Sequence, residues 1–392
     1  MKKILPILIA LSMISCACGQ RSSAKDAVDA ADTQAIQPSA TESVDQPVSK
    51  DSLRLDIGEM IIVGFRGQRL ANNKHIRRDI VDYHVGGVIL FEYDAPTGTH
   101  KRNVSSPKQL AALCSELQAL TDETLFIGID QEGGYVSRLR TDQGFPKFMS
   151  AKKSAEYGAD SIRRYAALTA AELKRAGVNL NFAPCVDVDI NPACPVIGKL
   201  ERSFSDSPKV VSDAARIWID EQRKAGVVSC LKHFPGHGSA SGDTHIGLVD
   251  VTKSWQKSEL EPYRTLIGEK KVDMIMTAHV INGNLDPDYP SSLSSKITTG
   301  LLRKKMGYDG VIITDDLAMG AIVNEYGFEE AIRLAIEAGA DLLCLSNNGK
   351  EYNPDVVPQT IAIVEKLVAE GKISAQSIHD SAQRIRKLKA KL

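Results

Sequence analysis

The sequence predicts a single (β/α)8 barrel, and three observations predict it. Eight short apolar runs recur after residue 50, separated mostly by longer segments of helical periodicity. The runs are near-continuous rather than alternating, as parallel strands buried on both faces read. Polar and charged residues gather where the runs end, the position of the active site in barrels of this type. An open doubly wound sheet is the alternative. It would want a glycine-rich phosphate loop after the first strand, and "GFRGQRL" is not one.

Taken in order, the runs are "MIIVGF" (60–65), "VGGVILF" (85–91), "TLFIGID" (124–130) and "VNLNFAPCVDV" (178–188). "GVVSCLKHF" (226–234), "VDMIMTAH" (272–279), "GVIITDD" (310–316) and "ADLLCLSN" (340–347) complete the set. The helix over 106–120 opens with a serine cap and a proline in its first turn. Those over 161–177 and 207–226 close on glycine, a common helix end. The segments 325–340 and 355–371 carry apolar residues at helical spacing. With the chain ending soon after the eighth unit, no second domain is expected.

Lys and Arg number 48 against 49 Asp and Glu, so the charge is close to balanced and nothing points to nucleic acid. "MKKILPILIALSMISCACGQ" pairs two lysines with a short apolar stretch and then small residues and cysteines. Residues 1–18 therefore read as a lipoprotein-type signal, with Cys16 the lipidated residue and Cys18 the second choice. A soluble secreted protein cleaved nearby is the alternative. Residues 19–50 are poor in large apolar side chains and read as a disordered tether, leaving 51–392 as the barrel. The expected place is the bacterial cell envelope, with a membrane contact through the lipid anchor. Export also bears on the thiols: Cys114, Cys230 and Cys344 read as buried, and Cys185 and Cys194 as a possible disulfide.

Asp130-Gln131-Glu132, Asp187 with Asp189, Lys232-His233, His279, Asp315-Asp316 and Ser346-Asn347 fall at six strand ends, which reads as an enzyme. His233, His237, His245, His279 and Asp315 could form a zinc set. No His-x-His follows the first strand, no H-E-x-x-H is present, and Lys232 would set a cation beside the metal. The expectation is no metal and no organic cofactor. Successive strand residues face opposite ways, so one of Asp315 and Asp316 enters the barrel mouth and the other turns away, Asp316 being the better cap. An inward carboxylate on a strand suits a nucleophile, but it needs a proton donor for the leaving group. The second carboxyl usual in retaining glycoside hydrolysis is missing from the strand ends. The loop "GHGSASGDTH" offers Asp243-x-His245 instead, an imidazole able to give and take a proton with a carboxylate to fix its tautomer. On this reading Lys232-His233 bind at a fixed strand end while Asp243 and His245 ride a mobile loop.

"KHFPGHG" followed by "DTH", with "DQEGG", "NFAPCVDVDINPACPVIG", "RSF", "MIMTAHV" and "ITDDLAMGAI", closely resembles the β-N-acetylglucosaminidases of glycoside hydrolase family 3. The resemblance covers about residues 52–350, with its motifs in order. It implies a retaining enzyme that removes terminal non-reducing β-linked N-acetylglucosamine from cell-wall fragments or related oligosaccharides. Asp315 would be the nucleophile and His245 the acid/base, supported by Asp243. Asp130, Arg138, Arg202, Lys232 and His233 would hold the sugar. Three departures stand out: Tyr135 where arginine is usual, a longer stretch before Arg202, and Cys194 where a polar residue is common. The rivals are a phosphorylase or β-glucosidase of the same family, a substrate-assisted hexosaminidase, and a non-catalytic sugar-binding lipoprotein.

Overall fold

The computed structural model describes residues 49–71 and 73–392. The signal-like segment, Cys16, Cys18 and nearly all of the tether lie outside them. Ser49 caps a first helix, α1 (Lys50–Glu59), by accepting from the Ser52 N–H. Eight parallel strands follow as expected: β1 (Ile61–Gly64), β2 (Gly87–Leu90), β3 (Phe126–Ile129) and β4 (Leu180–Asn181), then β5 (Val228–Phe234), β6 (Met274–Thr277), β7 (Val311–Thr314) and β8 (Leu343–Leu345). Each pairs with its neighbour in sequence, β8 pairs with β1, and β7 meets β8 through the Ile313–Leu342 bridge, closing the ring. The strands are buried along their whole length, which is why their sequences do not alternate.

The covering helices include α2 (Lys74–Val81), α3 (Pro107–Gln118), α4 (Ala159–Ala176), α5 (Pro208–Ala225), α6 (Glu261–Gly268), α7 (Gly320–Tyr326) and α8 (Phe328–Ala338), with α9 (Val356–Ala369) and α10 (Ala375–Lys389) after the last strand. α4, α5 and α8 end on Gly177, Gly226 and Gly339, each in the left-handed region that glycine adopts without penalty.

Two expectations need correction. The pattern over 325–340 is not one helix: Gly327 interrupts it between α7 and α8 with φ 72°. The long fourth run makes only a two-residue strand, because Pro184 lacks the N–H a longer ladder needs; past it, Cys185 meets Lys232 by a single bridge. Gly64 ends β1 where the Ser346 carbonyl crosses so closely that a Cβ there would lie 1.7 Å from its oxygen. That approach lets the loop after β8 fold over the barrel mouth.

Candidate active site

A cavity of about 650 Å³ opens at the carboxyl ends of the strands. Asp130, Arg138, Arg202, Lys232, His233, His245 and Asp315 all line it, so seven of the eight expected site residues share one space. The eighth, Asp243, reaches it through His245.

The floor is a charge cluster. Lys232, 2% exposed at the end of β5, places Nζ 2.6 Å from Asp130 Oδ1 and 2.7 Å from Glu132 Oε1. Arg202 grips Glu132 with two bonds of 2.8 Å, donates to the Val196 carbonyl, and sets Nη2 3.2 Å from His233 Nε2. The longer stretch before Arg202 has therefore not moved it out of the site. Burial pushes the Glu132 carboxyl up, but Arg202 and Lys232 outweigh it and hold the pKa at about 2. Burial likewise works against the Lys232 ammonium, and Asp130 and Glu132 reverse it, raising its pKa. Arg138 lies 3.6 Å from Asp130 and 3.5 Å from Glu92.

His233 is oriented from behind. Its Nδ1 lies 2.7 Å from Asp187 Oδ2, and the other Asp187 oxygen accepts from the His233 and His237 backbone N–H groups. The carboxylate fixes Nδ1 as the donor, so Nε2 accepts from Arg202. The Lys232–His233 peptide is cis.

Asp315 stands at the end of β7 with its N–H bonded to the Thr277 carbonyl and Oδ1 accepting from the Asp316 N–H at 2.8 Å. Burial pushes its carboxyl up; the imidazoles of His279 and His233 and that N–H prevail, holding the pKa at about 2. It is an anion at neutral pH. Asp316 turns away, as the strand alternation requires: it accepts from Ser346 through both backbone and hydroxyl and from the Ala318 N–H. His279 donates from Nε2 to the Asp316 carbonyl at 2.9 Å and accepts from the Ser292 hydroxyl at 2.6 Å. Burial lowers its pKa, and it serves as a neutral brace under the Asp315–Asp316 corner.

His245 rides the loop after β5. Its Nδ1 lies 2.7 Å from Asp243 Oδ1, and its backbone N–H donates to the same oxygen at 2.9 Å. The pairing leaves Nε2 free, and the side chain is 67% exposed at the cavity rim.

The zinc set does not assemble: His237 Nε2 meets Thr244, burial holds that imidazole's pKa at about 4, and His279 is spent on its brace. Cys185, Asp187 and His233 do cluster, but the thiol and the imidazole N–H both donate to Asp187, and the Arg202 guanidinium abuts the His233 ring. Those donors do not suit a cation. Nor is there a Cys185–Cys194 disulfide: both thiols are free, Cys185 donating to Asp187 and Cys194 to the His237 carbonyl 3.6 Å away. Tyr135 stands 69% exposed outside the cavity lining. Sequence reasoning noted Glu132 and Asp187 only as strand-end residues and missed Glu92; the strand-end position was the available signal for all three.

Residues 52–388 match the model of the glycosyl hydrolase family 3 N-terminal domain. A β-hexosaminidase of Alkalilimnicola ehrlichii is 35% identical over 311 residues, 77% of this chain and 83% of the relative. β-Hexosaminidase A of Pseudoalteromonas piscicida is 34% identical over 79% of this chain, which spans 54% of that longer protein. Among solved structures, a family 3 β-N-acetylglucosaminidase from Paenibacillus sp. str. FPU-7 superposes with a TM-score of 0.77 at 34% identity, covering 86% of this chain and 62% of that one. The β-N-acetylhexosaminidase of Beutenbergia cavernae gives 0.76 at 28% identity, covering 86% and 98%.

Proposed function

The chain belongs to glycoside hydrolase family 3, and from that membership we propose that it is an exported, retaining β-N-acetylglucosaminidase acting on terminal residues of cell-wall glycan fragments. The observation that carries the reading is the distribution of charge in the cavity. Asp130 and Glu132 are committed to Lys232, Arg138 and Arg202, and Asp316 faces the Ser346 turn. Glu92 lies 3.5 Å from Arg138, so among the described residues Asp315 is left as the cavity anion free of a cation partner, with an exposed imidazole on another wall.

In the first step a carboxylate oxygen of Asp315 bonds to the anomeric carbon as the bond to the aglycone oxygen breaks, and His245 Nε2 gives that oxygen its proton. In the second, water attacks the anomeric carbon, passes its proton to His245 Nε2, and Asp315 departs as carboxylate. Asp243 holds the imidazole through Nδ1 in both steps. The lysine–carboxylate floor, His233 and Arg202 supply donors and acceptors for the sugar. The leader at residues 1–18, with Cys16 as its lipidation site, favours envelope glycans as the source of substrate.

The deciding experiment compares an aryl N-acetyl-β-glucosaminide with the matching β-glucoside, using the wild type and Asp315→Asn, with and without inorganic phosphate. Preference for the acetamido sugar, lost in the variant, supports the reading. Sugar 1-phosphate formed in phosphate buffer would replace hydrolysis with phosphorolysis. Activity on neither sugar would leave a binding protein.

A further inference from the structure

Residues 91–106, between β2 and α3, form a connection well beyond the ~2–6 residues usual between a strand and its helix. It is braced throughout. Asp94 accepts two bonds of 2.9 Å from Arg66, one of 2.6 Å from Arg102 and one from Thr97. Arg102, with its side chain wholly buried, reaches on to the Asn347 carbonyl at 2.7 Å and so ties this loop to the one after β8. Asn103 bonds the Phe65 and Gly67 carbonyls and the Phe91 N–H. A segment held this firmly fixes the position of whatever it carries.

It carries Glu92, whose side chain is 10% exposed and lines the cavity. Among the described residues, Glu92 Oε2 has no partner, and Oε1 reaches Arg138 only at 3.5 Å. Arg138 Nε is also buried without a partner. A carboxylate and a guanidinium thus stand side by side at the edge of a sugar-sized space, each with one buried atom short of a hydrogen bond that a turn of the side chain toward the cavity presents to a ligand. Leaving such groups unmet is costly, and a ligand that meets both recovers the cost. A hydroxyl does so, because it donates and accepts at once. An ammonium ion would satisfy Glu92 but face Arg138, and a carboxylate would do the reverse.

The strand order says which hydroxyl. β2 lies three strands from β7, which bears Asp315, and three in the other direction from β5, which leads to His245. The reacting anomeric carbon belongs between those two groups, so Glu92 meets the opposite edge of the ring. Resting on the function proposed above, we propose that Glu92, together with Arg138, reads a hydroxyl on the non-reducing edge of the terminal sugar and is a specificity-determining residue of this enzyme.

The test is the wild type, Glu92→Ala and Glu92→Gln against an aryl N-acetyl-β-glucosaminide and its 3-, 4- and 6-deoxy forms, with binding of free N-acetylglucosamine and the same deoxy sugars measured by calorimetry. In the wild type one deoxygenation costs about 10–10²-fold, the range for a hydrogen bond to a charged group, and in Glu92→Ala that ratio falls to within about threefold. Glu92→Gln, which keeps the shape and one acceptor, falls between and guards against a folding defect. A deoxy penalty unchanged by either variant, in rates and in binding, overturns the proposal. If no hydrolysis occurs but the binding ratios still collapse, the hydrolase reading fails while the role of Glu92 stands.

Discussion

Lys232 and His245 both depend on β5, yet their surroundings are opposites. Lys232 sits in the strand, 2% exposed, with two carboxylates within 2.7 Å and a guanidinium beyond them. His245 sits on the loop beyond, 67% open, with one ring nitrogen held and the other free. Binding groups gain from being fixed before the sugar arrives, because ordering them afterwards would subtract from affinity. A proton-transfer group must present an uncommitted nitrogen, since one already bonded to the protein has no proton to give. On the proposed function, the sugar-holding half is therefore knitted into the fold, while the proton-transfer half rides a loop that meets α7 through its backbone and whose imidazole is oriented by the neighbouring Asp243.

The contrast is sharpest if Lys232 is replaced. Lys232→Met leaves Asp130 and Glu132 to Arg138 and Arg202 alone, and removing one partner of a buried charge cluster costs about 3–5 kcal/mol. Urea denaturation is expected to show that loss of stability together with loss of sugar binding. A variant of wild-type stability would mean the cluster is built for recognition only.

His245→Ala is expected to do the reverse. Unfolding free energy should stay within about 0.5 kcal/mol of the wild type, as for exposed substitutions. kcat/KM should fall about 10²–10⁴-fold on substrates with poor leaving groups. With an activated aryl leaving group, the first step should lose far less, because that oxygen needs little protonation. Equal losses on both substrates would remove His245 from the acid/base role.

Acid pH separates the halves by a different route. Glu132 is held at about 2, below the ordinary carboxylate value, so its contribution to stability is present above about pH 4.5 and is lost as pH falls toward 2. The wild type should lose stability over that window, and Glu132→Gln, already lacking the charge, should show a shallower decline. A slope unchanged by the substitution would place the acid-sensitive groups elsewhere, with Asp187, also held well below its usual range, the next to replace.

How far the sequence could foresee this follows the same division. The cavity residues were legible in two ways: Asp315 and Lys232 stand at the ends of apolar runs, where barrel sites gather, while His245 lies in the loop beyond the fifth run and was picked out by its Asp-x-His spacing. Their partners were not. Glu132 meets Arg202 and Lys232 across strands distant in sequence, and no local pattern encodes such a pairing. The expected pairing of Asp243 with His245 is present as a carboxylate–imidazole bond, because two residues separated by one can meet within a single turn. Glu92 shared the strand-end signal, but its significance lies in one carboxylate oxygen lacking a partner, and that emerges only when every neighbour is placed.

The smallest effect tests how the exposed half is seated. The loop lands on the start of α7, where the Ala321 N–H donates to the Thr244 carbonyl at 3.2 Å. A Cβ on Gly320 would lie 2.7 Å from the His245 carbonyl oxygen and 2.8 Å from that of Ile246, so Gly320→Ala must push the loop outward by some tenths of an ångström. The clashing atoms are backbone, so the substitution should lower thermal stability slightly, by about 1 kcal/mol, with the better helix propensity of alanine offsetting part of the cost. If His245 is the acid/base group proposed above, displacing it by a fraction of an ångström should still cost about 10-fold in kcat/KM on poor leaving groups, well short of deleting it. A Gly320→Ala enzyme with undiminished rate on such substrates would mean that His245 finds its position from the bound sugar rather than from α7. Asp243 would then orient the ring within a loop whose own position the substrate sets.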